Sequence, residues 1–368
     1  MKIIQLSLFL VGLVACSQQD TTVTTIDEDY KYEVVTDKAE VPWGIDFLPD
    51  QSILITDRDG KLFRYHDGST TEITGIPEVY TKKQAGLLDV KVHPQYPERP
   101  WIYFSYSSME GENEGAHTAL ARAELNDDKL ANFKVLYKAS PNTKKGIHFG
   151  SRIEFDNEGY LFLSIGERGE REVNPQDITR DGGKIYRFHE DGSIPESNPF
   201  YDQPDAKKAI YSYGHRNPQG MELHPETGEI WVHEHGPRGG DEINIIKKGA
   251  NYGWPVITYG INYDGTVITD ERARPNMQQP IHYWKPSIAP SGMTFVRSEK
   301  YPHLNGNILA GSLKFAYLEH VMMEGEAVKK REKIIMNQGR LRSVEQGPDG
   351  FIYAGIEDIG LVKILPKG

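Results

Sequence analysis

The feature that most constrains the fold is a pattern that recurs six times along the chain. Each copy is a turn built from Pro, Asp, Asn or Gly, followed by a short strand in which β-branched, aromatic and polar residues alternate. The six strands occupy residues 52–55, 101–104, 160–163, 229–232, 307–310 and 351–354. Their starts lie roughly 45 to 75 residues apart, the spacing of a repeat that folds as a four-stranded sheet with loops of variable length. The pattern predicts an all-β chain folded as a six-bladed β-propeller.

Two other architectures fit the sequence less well. The stretch that most favours a helix is short and basic, over residues 328–333, so a fold with layers of helices has too few elements to build it. A β-sandwich is the all-β alternative. In a propeller the loops of all blades meet around one axial mouth, so polar side chains that are distant in sequence can converge on one ligand there. Candidate site residues are therefore expected in the loops of several repeats.

The first 30 residues have the character of an export leader and a tether. A positively charged start precedes an apolar run over residues 3–15, which is too short to span a bilayer permanently. The run ends in the sequence LVAC, which resembles the lipobox of bacterial lipoproteins, where the cysteine becomes the lipidated first residue. We expect a signal peptide, a flexible tether that starts at the lipidated Cys16, and the propeller domain at residues 1–15, 16–30 and 31–368. The alternative is an ordinary signal peptide in which Cys16 is incidental.

Charge and cysteine content limit the location and the partners. The leader predicts an exported protein on the periplasmic side of a bacterial membrane, expected to be the outer one, with the lipid as its only membrane contact. Cys16 is the single cysteine, so neither an intramolecular disulfide nor a cysteine-based zinc cluster can form. The 53 acidic and 42 basic residues give a formal charge of −11, which repels phosphate backbones. Nucleic acid is therefore not expected as a partner.

Common catalytic motifs are missing from the sequence. There is no G-x-G-x-x-G after a strand and no G-x-x-x-x-G-K-[ST] loop, which disfavours nicotinamide and ATP enzymes. There is also no G-x-S-x-G elbow and no H-E-x-x-H helix, which disfavours serine hydrolases and zincins. Any catalytic site must be assembled from other polar clusters.

Two polar clusters combine glycines with hydrogen-bonding side chains. The segment 146–152 places His148 and Arg152 beside glycines that allow a ligand to approach the backbone. A neutral imidazole there can accept a proton near pH 7, although a histidine that merely supports a loop is the simpler reading. The segment 213–220 carries Arg216, Asn217 and Gln219 between two glycines, a grouping suited to fixing a planar polar ligand.

A third cluster, residues 233–242, suggests a metal site. His233 and His235 would share one face of a strand and could ligate a transition metal, but no third ligand is evident. Alternatively, the carbonyls around Gly236 and Pro237 and the nearby carboxylates offer the oxygen ligands that calcium prefers. We favour calcium; the carboxylates belong to Asp241 and Glu242.

A fourth cluster is cationic and is divided between the last two repeats. Arg340 and Arg342 would point to the same side of a strand, and Lys314 lies one repeat earlier. Like charges side by side are unfavourable unless an anion lies between them, so the cluster predicts either a bound anion or a salt-bridged pair. Together the four clusters suggest an axial site with three cations for a polycarboxylate, a divalent metal site and a histidine base.

With these residues in view, the sequence resembles the soluble aldose sugar dehydrogenases, the pyrroloquinoline quinone (PQQ)-dependent six-bladed propellers of the glucose/sorbosone dehydrogenase family. The resemblance extends from about Trp43 to the C-terminus. It is carried by the segments 84–89, 146–152, 183–187, 214–220, 234–237, 251–255 and 340–342. The resemblance implies the cofactors PQQ and Ca²⁺, an aldose substrate and an external electron acceptor.

The resemblance also assigns a role to each matching residue. His148 matches the catalytic base, Arg216 the residue on the reactive quinone carbonyl, and Gln84 a substrate-side residue. The residues matching PQQ-binding positions are Asn217, Gln219, Lys314, Arg340 and Arg342. The backbone oxygens of Gly236 and Pro237 match the ligands of the catalytic calcium. A second, structural calcium is matched by Asp241, Glu242 and Tyr252.

Two departures from the family pattern bear on the substrate. Ile147 stands where the strongest glucose oxidisers carry an aspartate that contacts the sugar, and Ser151 stands where close relatives often have glycine. The resemblance therefore implies PQQ-dependent oxidation of aldoses at the anomeric carbon to lactones, without tight recognition of glucose. Two alternatives stay open: a calcium-dependent lactonase on a similar propeller, and a non-catalytic propeller that binds a carbohydrate or a protein.

Overall fold

The computed structural model describes residues 23–367. From the N-terminal side, strand β1 (Val23–Thr25), a 3-10 helix (Asp27–Asp29) and β2 (Tyr30–Thr36) come first. The following strands form six sheets, or blades. Blade 1 contains β3 (Pro42–Phe47), β4 (Ile53–Asp57), β5 (Lys61–His66) and β6 (Ser69–Ile73). Blade 2 contains β7 (Leu87–Val92), β8 (Trp101–Ser108), β9 (His117–Asn126) and β10 (Lys129–Lys138).

The remaining four blades repeat this order. Blade 3 contains β11 (Ile153–Phe155), β12 (Leu161–Ile165), β13 (Lys184–Phe188) and β14 (Ile210–Tyr213). Blade 4 contains β15 (Pro218–Leu223), β16 (Ile230–Glu234), β17 (Asp241–Ile245) and β18 (His282–Trp284). Blade 5 contains β19 (Pro290–Phe295), β20 (Ile308–Ser312), β21 (Tyr317–Glu324) and β22 (Ala327–Ile334), with β1 added at its edge. Blade 6 contains β23 (Leu341–Gln346), β24 (Ile352–Ile356), β25 (Gly360–Pro366) and β2.

The prediction of a six-bladed β-propeller is confirmed. The first strands of neighbouring blades contact one another in a closed ring, β3, β7, β11, β15, β19 and β23. All six recurring strands found in the sequence fall in the second strand of a blade, namely β4, β8, β12, β16, β20 and β24. The ring closes because β2 pairs with β25 in antiparallel register, Lys31 opposite Leu365. Radial closure covers most sheet edges, which would otherwise be open to pairing with other chains.

The hydrophobic core lies between blades. One cluster joins Leu54 and Leu62 of blade 1 to Leu87, Phe104 and Ala121 of blade 2, and all five side chains are buried. The other large clusters likewise combine residues of adjacent blades. Because each sheet is covered on both faces by its neighbours, its strands are apolar on both sides, and this burial stabilises the ring.

Two segments differ from their reading in the sequence. Residues 328–333, the stretch that most favours a helix, are part of strand β22 and pair with β21. The tether expected over residues 16–30 is wrong from residue 23 onward, because β1 pairs in parallel with β22, Thr24 opposite Glu332, and Tyr30 begins β2. The predicted signal peptide and Cys16 lie outside the described residues. Within residues 23–367, no helix is both long and apolar enough to traverse a bilayer.

The penultimate residues of the six first strands interact with one another and form what we term the axial ring: Asp46, Lys91, Glu154, Glu222, Thr294 and Glu345. Lys91 Nζ donates to Glu154 Oε2 at 2.8 Å, and Arg297 Nη2 lies 3.2 Å from Glu222 Oε1. Burial raises the pKa of Asp46 to about 6. Burial, and next the charge of Glu154, raise the pKa of Glu222 to about 8. The axial ring therefore holds four carboxylates against two cations, Lys91 and Arg297.

The axial ring makes stability depend on pH. Burial, together with Glu222, Asp46 and Glu154, raises the pKa of Glu345 well above its usual value, while Lys91 opposes that shift. Between the unfolded and folded pKa values the folded protein holds the extra proton, so the free energy of unfolding falls as pH rises. We expect Glu345→Gln to raise Tm at pH 9 by at least about 2 °C, since one pKa unit corresponds to about 1.4 kcal/mol.

The check is thermal unfolding of the wild type and the variant at pH 5 and pH 9. The gain should shrink or vanish at pH 5, where the native carboxyl is already neutral. Glu326→Gln, at an exposed turn, is the matched control and should leave Tm unchanged at both pH values. A gain for Glu345→Gln that is as large at pH 5 as at pH 9 would contradict the explanation.

Candidate functional site

The loops at one end of the propeller axis enclose a cavity of about 240 Å³, here called the axial cavity. Every blade contributes to its lining, which consists of Trp43, Arg58, Gln84, Phe149, Asn217, Gln219, His235, Tyr263, Ala289, Leu313, Arg340 and Arg342. A second depression of about 380 Å³, the outer cleft, is lined by His148, Glu167, Arg216, Pro237 and Trp254 among others. Tyr263 lines both, so the two depressions adjoin.

Arg152 closes the floor of the axial cavity. Its guanidinium donates to the Trp43 carbonyl at 3.2 Å, Asp89 Oδ1 at 3.1 Å, the Arg342 carbonyl at 3.0 Å and the Gln219 carbonyl at 2.7 Å. These partners belong to four different blades, so one buried side chain ties the inner strands together across the axis. Because its donors are used in this way, Arg152 is a structural element of the site and offers little to a ligand.

His148 lies in a strained loop that precedes β11. Its φ of 55° is in the left-handed region, and its N–H donates to Gln84 Oε1 at 2.8 Å. Its Nδ1 pairs with Glu167 Oε1, and the His148 side chain is 12% exposed. Burial, followed by the charge of Arg216, lowers the pKa of His148 to about 4. The imidazole is therefore neutral at pH 7, with Nε2 as the nitrogen not engaged by Glu167, which is the state that a general base needs.

Glu167 is a site residue that the sequence analysis missed. Its carboxylate is 2% exposed, and Oε2 has no hydrogen-bond partner among the described residues. Glu167 lies two residues after the end of β12, and its N–H donates to the Arg216 carbonyl at 2.8 Å. An acidic residue shortly after a buried strand was the available signal, but only the three-dimensional structure shows that it orients the histidine.

Arg216 lines the outer cleft, whereas Asn217 and Gln219 line the adjoining axial cavity. Arg216 Nη1 donates to the carbonyls of His235 and Gly236 at 3.0 and 3.2 Å. Asn217 Oδ1 accepts from the Gly150 N–H at 3.1 Å, and Gln219 Nε2 donates to the Gly150 carbonyl at 3.0 Å. The two amides therefore brace the loop that carries His148 while also lining the axial cavity. Their support fixes the backbone on which the candidate base is mounted.

The cationic cluster is only partly assembled as expected. Arg340 and Arg342 line the axial cavity, and both pair with Glu357: Arg340 Nε lies 2.9 Å from Oε2 and Arg342 Nε 3.1 Å from Oε1. Both readings of the pair thus hold in part, because one carboxylate neutralises half of their charge. Lys314 is exposed, with its ammonium over the Phe315 ring, and it is absent from the cavity lining.

Arg58 supplies a further positive charge that the sequence analysis missed. It lines the axial cavity, and its Nε is buried without a hydrogen-bond partner among the described residues. Burial lowers the pKa of Arg342 to about 10; Glu357 opposes this shift, and Arg340 and Arg58 add to it. Three guanidinium groups therefore crowd one small cavity with a single carboxylate between two of them. An anionic ligand fits this excess of positive charge.

The residues expected to bind calcium have mixed surroundings. The Asp241 carboxylate accepts from the N–H groups of Gly236, Ile288 and Ala289 and from Ser287 Oγ, all between 2.7 and 2.9 Å. It holds a loop and has little capacity left for a metal. The Tyr252 hydroxyl is likewise occupied, since it donates to the Ile245 carbonyl at 2.6 Å and accepts from the Lys247 N–H. Neither side chain supports the predicted ligand role.

Glu242 has different surroundings. It lies opposite Glu234 on the adjacent strand, and Asn244 Nδ2 bridges the two carboxylates at 3.2 and 3.3 Å. Burial, and then the charge of Glu234, raise the pKa of Glu242 well above its usual value. The Glu234 oxygens also contact His215 Nδ1 at 2.8 Å and the Arg216 N–H at 2.6 Å, so Glu242 is the carboxylate of this pair with capacity left for a divalent cation such as calcium.

The histidine pair is not a metal site. His233 Nε2 hydrogen-bonds the Gly292 carbonyl at 2.9 Å, and His235 Nε2 hydrogen-bonds the Pro290 carbonyl at 2.7 Å. Since a carbonyl accepts, both Nε2 atoms carry a proton and donate. Each ring keeps Nδ1 available, but among residues 23–367 no group of three metal-ligating side chains includes His233 or His235, so the structure does not supply the third ligand that the transition-metal alternative lacks.

Comparisons with known proteins agree with this geometry. Residues 39–362 match the family model described as Glucose / Sorbosone dehydrogenase. Aldose sugar dehydrogenase YliI of Escherichia coli (strain K12) is 38% identical over 98% of this chain and 99% of its own. Quinoprotein glucose dehydrogenase B of Acinetobacter calcoaceticus is 30% identical over 62% of this chain and 53% of its own.

Two solved structures share the fold. The soluble aldose sugar dehydrogenase (Asd) from Escherichia coli in the apo-form has a TM-score of 0.87 at 37% identity, covering 92% of this chain and all of that one. The PQQ-bound form of aldose sugar dehydrogenase (Adh) from Streptomyces coelicolor has a TM-score of 0.73 at 24% identity, covering 92% and 98%. The second similarity is one of fold alone.

Proposed function

Because the chain belongs to the Glucose / Sorbosone dehydrogenase family, we propose that it oxidises aldose sugars at the anomeric carbon to lactones with PQQ as cofactor. The observation that carries the proposal is the arrangement of a neutral, carboxylate-oriented His148 in the outer cleft, adjoining an arginine-lined axial cavity. The names of two relatives, an aldose sugar dehydrogenase and a quinoprotein glucose dehydrogenase, support both substrate class and cofactor.

The axial cavity fits a small polyanionic quinone. PQQ carries three carboxylic acid groups and, when bound, supplies a quinone that takes up two electrons. Arg58, Arg340 and Arg342 are the residues that would hold its carboxylates. Arg58 Nε has no hydrogen-bond partner among the described residues, so it can donate to a carboxylate of the cofactor. Lys314 joins them only if its exposed side chain leaves Phe315 and turns inward. Asn217 and Gln219 would lie beside the cofactor while holding the His148 loop.

His148 and its neighbours perform the proton chemistry in this proposal. Nε2 accepts the proton of the sugar C1 hydroxyl, while Glu167 accepts a hydrogen bond from Nδ1–H and stabilises the imidazolium that forms. Transfer of that proton to Nε2 and departure of the C1 hydrogen as a hydride, whose two electrons the bound quinone would take up, leave a carbonyl at C1, which is the lactone of a cyclic sugar. The Arg216 guanidinium lines the same outer cleft as His148 and would stabilise the negative charge that develops on the quinone oxygen.

Calcium is part of the proposal. The carbonyl oxygens of Gly236 and Pro237 would hold the catalytic ion beside Arg216, whose Nη1 contacts the Gly236 carbonyl. The Glu242 carboxylate, opposite Glu234, would contribute to holding a second, structural ion. A bound cation would stabilise the charged form of Glu242, which burial otherwise disfavours.

The substrate side remains open to more than one aldose. Gln84 lines the axial cavity and accepts from the His148 N–H, so it fixes the base as well as facing the ligand region. Ile147 lines the outer cleft without offering a hydrogen bond from its side chain. We therefore propose broad aldose specificity. We also propose export, lipid anchoring through Cys16 on the periplasmic side of the outer membrane, and an external electron acceptor.

Reconstitution tests the function. The purified apoprotein is mixed with PQQ and CaCl₂, and the reduction of an electron-accepting dye is followed with a panel of aldoses. We expect turnover only when PQQ, calcium and an aldose are all present. The same protein is also given lactones without PQQ, because a lactonase would hydrolyse them and a binding module would act on neither. Absence of both PQQ binding and aldose oxidation would reject the enzyme.

A further inference from the structure

The outer edge of blade 5 holds a cluster of metal-ligating side chains, which we term the outer triad: His303, His320 and Glu332. His320 lies in β21, and Glu332 is its register partner in β22. His303 lies in the connection between β19 and β20. One ligand atom from each residue lies within 4.8 Å of the other two. None of the three lines the axial cavity or the outer cleft.

The contacts within the outer triad converge on one atom. Glu332 Oε2 pairs with both His303 Nε2 and His320 Nδ1, the latter at 3.0 Å. The two imidazole rings are 5.2 Å apart between centroids and inclined at 71°. Two imidazole nitrogens and a carboxylate oxygen gathered in this way form a ligand set that suits zinc and related divalent transition ions.

Burial leaves the outer triad open on one side only. Glu332 and His320 are 1% and 0% exposed, whereas the His303 side chain is 48% exposed. His303 therefore provides both a path for an ion and the solvent-facing side where a water could complete the coordination. Buried ligands on two paired strands are preorganised, because their backbone is fixed by the ladder between β21 and β22.

Two further observations concern the remaining atoms of the outer triad, one without a hydrogen-bond partner and one held by neighbouring side chains. His320 Nε2 is buried and has no hydrogen-bond partner among the described residues. The other carboxylate oxygen, Glu332 Oε1, accepts from Lys330 Nζ at 2.6 Å and faces Thr24 Oγ1 at 3.5 Å. This leaves Oε2 directed at the two imidazoles, the arrangement by which outer contacts orient a metal-binding carboxylate.

We propose that His303, His320 and Glu332 bind a divalent metal ion of the zinc type. The ion would join three segments: β21, β22 and the connection between β19 and β20. Through β22 it would also reinforce the edge on which β1 is paired, where Thr24 lies opposite Glu332. Its role is to stabilise the outer edge of blade 5, at a place separate from the proposed calcium and PQQ sites. The spacing of the three ligands along the chain follows no familiar motif, which is why the sequence did not suggest them.

The test uses the full chain, stripped of metal with a chelator and then saturated with CaCl₂ so that oxygen-rich sites are filled. ZnCl₂ is the probe, and equilibrium dialysis measures the number of ions bound and their Kd. His303→Ala is the informative variant, because the exposed side chain can be removed without opening the core. We expect the wild type to bind one more zinc ion than His303→Ala, or to bind it at least about 100-fold more tightly.

His66→Ala is the matched control. The His66 side chain is 47% exposed and lies 3.5 Å from a carboxylate, so it resembles His303 in exposure and charge environment, but it has no second histidine beside it. This variant should keep the wild-type stoichiometry. A second readout is Tm, which zinc should raise in the wild type and His66→Ala but not in His303→Ala. Glu332→Gln extends the series if it folds.

Cobalt gives an independent signature. Co²⁺ in a low-coordinate site with nitrogen ligands absorbs visible light more strongly than hydrated Co²⁺, so a spectrum distinguishes the outer triad from loose surface binding. The band should appear in the wild type and be lost in His303→Ala. Equal zinc stoichiometry, equal Tm response and equal cobalt spectra in the wild type and His303→Ala would overturn the proposal, as would the absence of zinc binding to the wild type.

Discussion

His148→Ala is expected to lower kcat for aldose oxidation by about 10²- to 10⁴-fold, the usual contribution of a general base. The variant should still bind PQQ, because His148 does not line the axial cavity. The physical reason is that burial and Arg216 keep the imidazole neutral, while Glu167 holds its orientation. The measurement is steady-state dye reduction by the reconstituted enzyme, with PQQ binding followed by absorbance.

The same control histidine serves here. His66→Ala removes a half-exposed imidazole on blade 1 and should leave kcat at the wild-type value. If His148→Ala retained full kcat with bound PQQ, the proton would have to be accepted elsewhere, and the assignment of the base would be wrong. If His148→Ala lost both PQQ binding and activity, the result would instead indicate that the loop carrying residue 148 had changed its conformation and disturbed the axial cavity.

Arg342→Ala is expected to weaken PQQ binding by about 30- to 5,000-fold, the range for truncating one partner of a buried charge contact, about 2 to 5 kcal/mol. Arg342 is 8% exposed, so its interaction with an anion would be little screened by solvent. Arg340→Ala should weaken PQQ binding less, because the Arg340 side chain is 52% exposed. The measurement is the Kd for PQQ, obtained by fluorescence titration of the apoprotein.

Arg58→Ala belongs in the same titration, because its unpartnered Nε is the clearest unused donor of the axial cavity. Arg64→Ala is the matched control: it removes an arginine from the same blade, but one that pairs with Asp128 away from the axis. Far-UV circular dichroism checks that each variant folds. Unchanged PQQ affinity in both Arg342→Ala and Arg58→Ala would exclude an arginine-bound cofactor in this cavity.

The fold could be predicted because its signal is repeated. Each copy of the turn and strand pattern marks the second strand of a blade, and six copies reveal the number of sheets even though single strands are ambiguous. The failures are local. Residues 328–333 favour a helix more than any other stretch of the sequence, but pairing with β21 decides their conformation. The start of the propeller was placed too late because β1 is short and pairs with a strand about 300 residues away.

The candidate site was predictable only where its residues stand in dense clusters. His148, Arg216, Asn217 and Gln219 are close together in two glycine-framed loops, and the structure brings them to one end of the axis. Glu167 and Arg58 were missed, and Glu234 was given no role although it stands in the third cluster, because nothing in their local sequence marks them as site residues. Their importance comes from partners in other blades or strands, which depend on the closed ring. Asp241 shows the opposite error: a well-placed carboxylate already satisfied by four donors.

The pairing of β2 with β25 has a consequence for how the protein is made. Strand β2 pairs with β25, which follows it in the chain by about 330 residues. Blade 6 therefore cannot be completed until β25 has been synthesised, and until then its edge is unpaired. Removal of β25 would leave β2 without its partner and would open the ring at blade 6.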